Sequence, residues 1–195
     1  PPSTQFNSNQ PSPHHGEYCL YFGRISPEKG LKTLIKAFIK LNTGVDLVII
    51  GRSYDNHKEE LLHLIPPKFS KRIHFHEFME SDQLSIWIQH ALFSVVPSEW
   101  YDNAPLSILE SYMGKAPVLG SDIGGIPELI QNGQTGRLFK PANIISLKNG
   151  LELMLADKQN LNKMGEKAYQ LVNGELSLKQ HMAKLLTLFD SVRTS

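Results

Sequence analysis

Residues 17–51 read EYCLYFGRISPEKGLKTLIKAFIKLNTGVDLVIIG. Two short apolar runs, Tyr18 to Phe22 and Val45 to Gly51, bracket a segment in which Leu31, Leu34, Ile35 and Phe38 recur at helical spacing. Strands that are apolar throughout, rather than alternating, are buried on both faces, and that is the condition of a parallel sheet. The stretch is therefore a strand-helix-strand unit, and its crossover is expected to be right-handed.

The pattern continues on the C-terminal side of this unit. Further strands are predicted at about Arg72 to Phe75, Leu92 to Val96 and Ala116 to Leu119, with helical segments at about Lys58 to Leu64 and Asp82 to His90. Asn143 is placed to cap a helix carrying Ile144, Leu147, Leu151 and Leu155, and another helix is predicted from Leu161 to Val172. Ser177 opens a capping box with Gln180 ahead of an amphipathic helix showing Leu178, Met182, Leu185 and Phe189. The fold class is α/β, a Rossmann-like parallel sheet with helices on both faces. Residues 1–15, PPSTQFNSNQPSPHH, hold little to bury and read as a linker, leaving 16–195 as one domain.

Composition narrows the function. A chain of 195 residues, 41% of them hydrophobic, can bury a sizeable core, and a net charge of +1 makes no general case for nucleic acid. Any anion site has to be local. The single cysteine, Cys19, sits in an apolar run and reads as a buried small residue of a protein from a reducing compartment. No apolar run reaches membrane-span length and no signal sequence opens the chain, so a soluble protein is expected.

Two loops at strand ends can carry chemistry, because ligands of open α/β sheets sit there. The first is GRISPEKG, residues 23–30, where Gly23 permits a tight exit and Arg24 and Lys29 supply two cations that can neutralise a diphosphate. For an isolated Arg and Lys, solvated surface cations are the plainer reading. The second is Pro97 to Ile130, PSEWYDNAPLSILESYMGKAPVLGSDIGGIPELI. There Asn103 is expected to cap a helix with Pro105 in its first turn, leaving amides of residues 104, 106 and 107 for an anion. Asp102 and Glu110 flank that helix start. Trp100 and Tyr101 can stack on a sugar, close against another domain or anchor the loop. Gly124 and Gly125 are expected to turn tightly and bring amides toward phosphate. No metal site is expected: His74 and His76 share a strand face without further ligands at metal spacing, and His14 and His15 read as solvated linker residues.

In order and spacing these segments resemble the C-terminal, nucleotide-sugar-binding domain of the family 4 retaining glycosyltransferases (glycosyl transferases group 1) of GT-B fold. GRISPEKGLKTLIKAF is similar to the G-R-x-x-x-E-K-G segment of that family. PSEWYDNAPLSILE with GKAPVLGSDIGGIPELIQNGQTGRLF is similar to its E-x7-E region and following P-E turn. The likeness spans nearly the whole chain after the linker and extends to an interdomain linker at 1–15 and a terminal crossover helix.

The resemblance implies transfer of a hexose from a UDP- or GDP-type donor to an acceptor hydroxyl with retention and without a metal. Arg24 and Lys29 would bind the diphosphate, Glu110 the ribose, Asp102 the sugar hydroxyls, and the amides of Asn103, Ala104 and Leu106 the sugar and phosphate. Asp102, Arg24 and Lys29 would be the catalytic set. Asp102 stands where the family has Glu, shorter by about 1.5 Å, and Pro105 cannot donate. His76-Glu77-Phe78 also departs from a family segment with a central Gly that approaches the nucleobase. The implied partners are a nucleotide sugar, an acceptor that is a glycan, lipid-linked sugar or small molecule, and an N-terminal acceptor domain absent from this chain; no nucleic acid is implied. The isolated domain is expected to bind donor but turn it over poorly. The expected location is the cytoplasm, at the inner-membrane surface if the accompanying domain binds there. A non-catalytic sugar-nucleotide-binding module and a same-fold epimerase remain as alternatives, and a dinucleotide oxidoreductase is disfavoured because the first strand lacks GxGxxG.

Overall fold

A computed structural model describes residues 6, 10–177, 180, 182, 186, 187 and 189. Six strands form one sheet: β1 (Tyr18–Phe22), β2 (Asp46–Ile50), β3 (Ile73–His76), β4 (Ser94–Val96), β5 (Val118–Ser121) and β6 (Gly136–Phe139). All neighbours run parallel, in the order β3-β2-β1-β4-β5-β6. The direction of strand addition reverses between β1 and β4, which opens a crevice beyond their carboxyl ends.

Seven α-helices accompany the strands among the described residues: α1 (Leu31–Phe38), α2 (His57–His63), α3 (Ser81–His90), α4 (Leu106–Met113), α5 (Ile126–Leu129), α6 (Ile144–Ala156) and α7 (Lys158–Asn173). Alternation along β1 explains why its run is unbroken. Cys19 and Tyr21 pack with Leu34, Ile35 and Phe38 of α1 and Leu147 and Leu151 of α6. Tyr18, Leu20 and Phe22 face the other way, against Trp87 and Ile88 of α3. A third apolar group, with Val96, Ile108, Tyr112, Val118 and Val172, continues that second layer under α4 and α7. Cys19 is fully buried, and burial pushes its thiol up to about 12.

Local signals set several ends. The Asn143 side chain accepts from the Ser146 amide at 2.8 Å, capping α6 as its position predicts. Strand β6 was not predicted. It is four residues at the sheet edge, GRLF, whose only strong hydrophobes are Leu138 and Phe139, and it follows the turn-rich QNGQT, so no run stood out. After Ser177, residues 180, 182, 186, 187 and 189 are helical, the Ser177 hydroxyl accepts from the Gln180 amide at 3.4 Å, and Met182, Leu186 and Phe189 are exposed. Leu178 and Leu185 of the predicted helix lie outside the described residues.

By composition residues 1–15 read as a linker, with His14 and His15 solvated. Among its described residues there is no regular element, but two side chains are engaged. Phe6 packs beside the Trp87 group, and His14 is turned into the sheet, with its Nε2 3.0 Å from Asp46 Oδ2.

Candidate active site

The loop after β1 is shaped by two glycines. Gly23 (φ +140°) turns the chain away from the strand, and the Tyr21 hydroxyl donates to the Arg24 carbonyl at 2.5 Å, fastening the turn. Pro27–Lys29 form a single 3-10 turn that ends at Gly30 (φ +70°), the residue from which α1 starts. Gly30 also allows a close crossing: a Cβ there would lie 1.9 Å from the Pro97 carbonyl oxygen. The Glu99 amide donates to the Glu28 carbonyl at 2.8 Å and the Thr33 hydroxyl to Glu99 Oε1 at 2.5 Å. The β1 and β4 loops are thereby fastened into one unit.

At their junction Lys29 Nζ lies 2.8 Å from both Asp102 carboxylate oxygens, and the buried Ser98 hydroxyl donates to Asp102 Oδ2 at 2.8 Å. Arg24 is more open and pairs with Glu28 at 2.9 Å. Lys29, Asp102, Arg24, Leu106 and Glu110 all line one cleft of about 260 Å³ at the carboxyl ends of β1 and β4. Nothing in the local sequence pattern marks Ser98. Its position, two residues beyond β4 on the ligand side of the sheet, was the available signal.

The start of α4 differs from expectation. Pro105, not Asn103, holds the N-cap position, with no side-chain cap, and its carbonyl accepts from the Ile108 amide at 3.0 Å. Pro105 suits that place because its fixed φ of −65° leads into the helix and the cap amide is not needed there. Leu106 and Ser107 open the helix on the cleft wall, whereas Asn103 and Ala104 are exposed and do not line it. Asn103 is instead pressed to the Gly-Gly turn: a Cβ on Gly125 would lie 1.7 Å from the Asn103 carbonyl oxygen. The Gly125 amide, expected near phosphate, donates to the Asp102 carbonyl at 2.8 Å and so positions the Asp102 loop. Trp100 and Tyr101 are exposed, which removes the reading that they anchor the loop to the core.

Glu110 is half-buried, and burial pushes its carboxyl above the ordinary value. Its side chain borders a second cleft of about 320 Å³, which shares Phe22, Gly23 and Arg24 with the first and is otherwise walled by Arg52, Phe78, Met79 and Leu84 among others. The Arg52 guanidinium stands 5.4 Å from the Phe78 ring centroid. A larger cavity of about 800 Å³ lies at the opposite, amino ends of the strands beside Glu17, Leu92 and Pro117. Two lysines there face two glutamates, whereas three cations, Arg24, Lys29 and Arg52, face two carboxylates, Asp102 and Glu110, in the clefts at the carboxyl ends, where open α/β sheets take their ligands; those clefts are the better candidate for an anionic ligand.

Comparison with known proteins agrees with the fold. The family model for glycosyl transferases group 1 matches residues 3–171, and the chain belongs to that family. The lipopolysaccharide 1,2-N-acetylglucosaminetransferase of Salmonella typhimurium is 32% identical over 81% of this chain and 44% of its own length. The C-terminal domain of a glycosyl transferase group 1 family protein, LpcC of Francisella tularensis, superposes with a TM-score of 0.74 at 24% identity, over 83% of this chain and 86% of that one. Anabaena HepE in complex with UDP-glucose superposes with a TM-score of 0.78 at 21% identity, over 87% of this chain and 48% of HepE. The six-stranded sheet is thus the Rossmann-like sheet of the GT-B glycosyltransferases. The chain spans less than half the length of the first curated relatives it matches.

Proposed function

We propose that this chain is the donor-binding domain of a retaining hexosyltransferase, which passes a sugar from a UDP- or GDP-type donor to the hydroxyl of a glycan, lipid-linked sugar or small-molecule acceptor. The observation that carries the reading is Glu110 on the shared wall of two clefts of unlike character, one edged by Lys29, Arg24 and a helix start, the other by aromatic and aliphatic side chains with Arg52. A nucleoside diphosphate has the same sequence of parts. Its base would enter the second cleft, its ribose hydroxyls would donate to Glu110, and its phosphates would lie against Lys29, Arg24 and the amides of Leu106 and Ser107. The UDP-glucose complex of HepE and the acetylglucosamine named for the Salmonella relative support a sugar nucleotide of this kind.

In the reaction the bond between the sugar and the diphosphate breaks, and negative charge grows on the departing phosphate oxygen. Two side-chain cations and the amides opening α4 would meet that charge in a fixed geometry, so that no divalent cation is required. Asp102 would hold hydroxyls of the transferred sugar once Lys29 turns to phosphate. The acceptor would be presented by a companion domain closing over the cleft, against which the exposed Trp100 and Tyr101 stand, so this chain alone would bind donor with little turnover.

The test is titration calorimetry of the chain with UDP, GDP and uridine, with and without magnesium. Arg24→Ala and Lys29→Ala are each expected to weaken diphosphate binding by about tenfold or more, the scale of a lost charge-assisted contact, while uridine binding holds. Equal losses for uridine, or an absolute need for magnesium, would overturn the assignment.

A further inference from the structure

We propose that His14, Asp46 and His74 form a divalent transition-metal site, with zinc the fitting ion, that ties the segment ahead of β1 to the sheet edge opposite the donor cleft. The three residues come from separate parts of the chain. His14 precedes β1, Asp46 is the first residue of β2, and His74 is the second residue of β3. The sequence showed no metal motif because its ligands are dispersed; parallel pairing, with Val48 opposite His74, brings them together.

The geometry is close to that of a bound site. Nε2 of His14 and Nε2 of His74 each stand 3.0 Å from the same oxygen, Asp46 Oδ2, and the three atoms lie within 4.8 Å of one another. Around a tetrahedral zinc with bonds of about 2.0 Å, neighbouring ligand atoms are about 3.3 Å apart. The two nitrogen–oxygen separations, at 3.0 Å, are already close to that spacing. The imidazoles meet edge to face, 4.8 Å between centroids at 68°, so both nitrogens converge on one point instead of stacking.

The surroundings also suit a metal. Arg72 Nε donates to the other carboxylate oxygen, Asp46 Oδ1, at 3.0 Å and orients the carboxylate from outside the site. The Ser12 hydroxyl accepts from the His14 amide at 3.3 Å and donates to its carbonyl, which sets the backbone at His14. Tyr18 and Trp87 wall one side. The side chains are 12%, 17% and 31% exposed, so the cluster is open to solvent, from which the ion and a fourth, water ligand would come. Three protein ligands, one of them shared with Arg72, set an expected affinity near or below about micromolar, weaker than a four-ligand structural site.

The experiment uses the whole chain, stripped with chelator and titrated with zinc chloride, with cobalt(II) as the visible probe. Expected are one zinc per chain, a rise in Tm, and cobalt d–d bands of a tetrahedral nitrogen and oxygen set. His14→Gln and His74→Gln should each weaken zinc by about 100-fold, a ligand loss being at least as severe as the loss of an outer contact, with circular dichroism unchanged. His15→Gln, the exposed neighbour, should leave binding as it was. Absence of stoichiometric binding at about 1 mM zinc, or an affinity indifferent to His14→Gln and His74→Gln, would overturn the proposal. UDP affinity should be the same with and without zinc, since the donor cleft lies at the other end of the strands; this separates failure of the metal site from failure of the donor site.

Discussion

Lys29 and Asp102 hold each other: the ammonium nitrogen is 2.8 Å from both carboxylate oxygens, across 73 residues of sequence. Both groups are about one-fifth exposed. In the proposed reaction one binds phosphate and the other sugar, so each occupies the other's ligand position until donor arrives.

Replacing Asp102 with Asn releases Lys29 from an ion pair that a diphosphate would otherwise have to break. UDP affinity is expected to rise by about fivefold, the equivalent of about 1 kcal/mol for a partly exposed pair. Affinity for the sugar nucleotide should gain less or fall, because the sugar hydroxyls lose a charged acceptor. Calorimetry with UDP and UDP-glucose side by side reads the difference.

Glu110 is held in a site that burial makes unfavourable to its charge. With the folded value raised above the unfolded one, its contribution to stability is complete below the unfolded value of about 4.3 and is lost as pH rises through the folded value. Glu110→Gln should therefore melt higher than the parent at pH 7 and alike near pH 4, while losing UDP affinity by about tenfold, because a charged acceptor of two oxygens becomes a neutral one with a single oxygen and an NH2 donor. Melting curves across that range check the sign; a variant less stable at pH 7 would contradict it.

Gly30→Ala places a methyl 1.9 Å from the Pro97 oxygen at a φ of +70°. The loss is expected to exceed about 2 kcal/mol, from the left-handed backbone together with the overlap. Because Gly30 is where the two ligand loops cross, donor binding should fall as well, measurable in the fraction that remains folded below Tm.

The second cleft carries a separate expectation. Phe78→Ala and Arg52→Ala remove the wall against which a base would rest and should weaken uridine and UDP alike, by about tenfold on the scale of one stacked base. That pattern is the reverse of the one expected for Lys29, and comparing uridine with UDP across the variants distinguishes the two clefts.

Much of the fold could be read from local pattern. The apolar runs of β1 and of Leu47 to Ile50 in β2 announced a sheet buried on both faces, and the Asn143 cap marked the start of α6. Strand β6 escaped because pairing with β5 makes it a strand, through Leu119 opposite Arg137 and Gly120 opposite Leu138, and not its own composition. Asn103 was read as the cap of α4 because Asn suits that position by propensity. In the fold its carbonyl is taken up against Gly125, and Pro105 holds the cap.

The strand-helix periodicity, the two loops that follow β1 and β4 and the kinds of charge they carry were legible in the chain alone, since these depend on residues near one another in it. Which charges meet was settled by the fold. Lys29 with Asp102, Glu110 between two clefts, and His14 with Asp46 and His74 are set by strand order and parallel register, and a contact made through the sheet leaves no periodic trace in the chain.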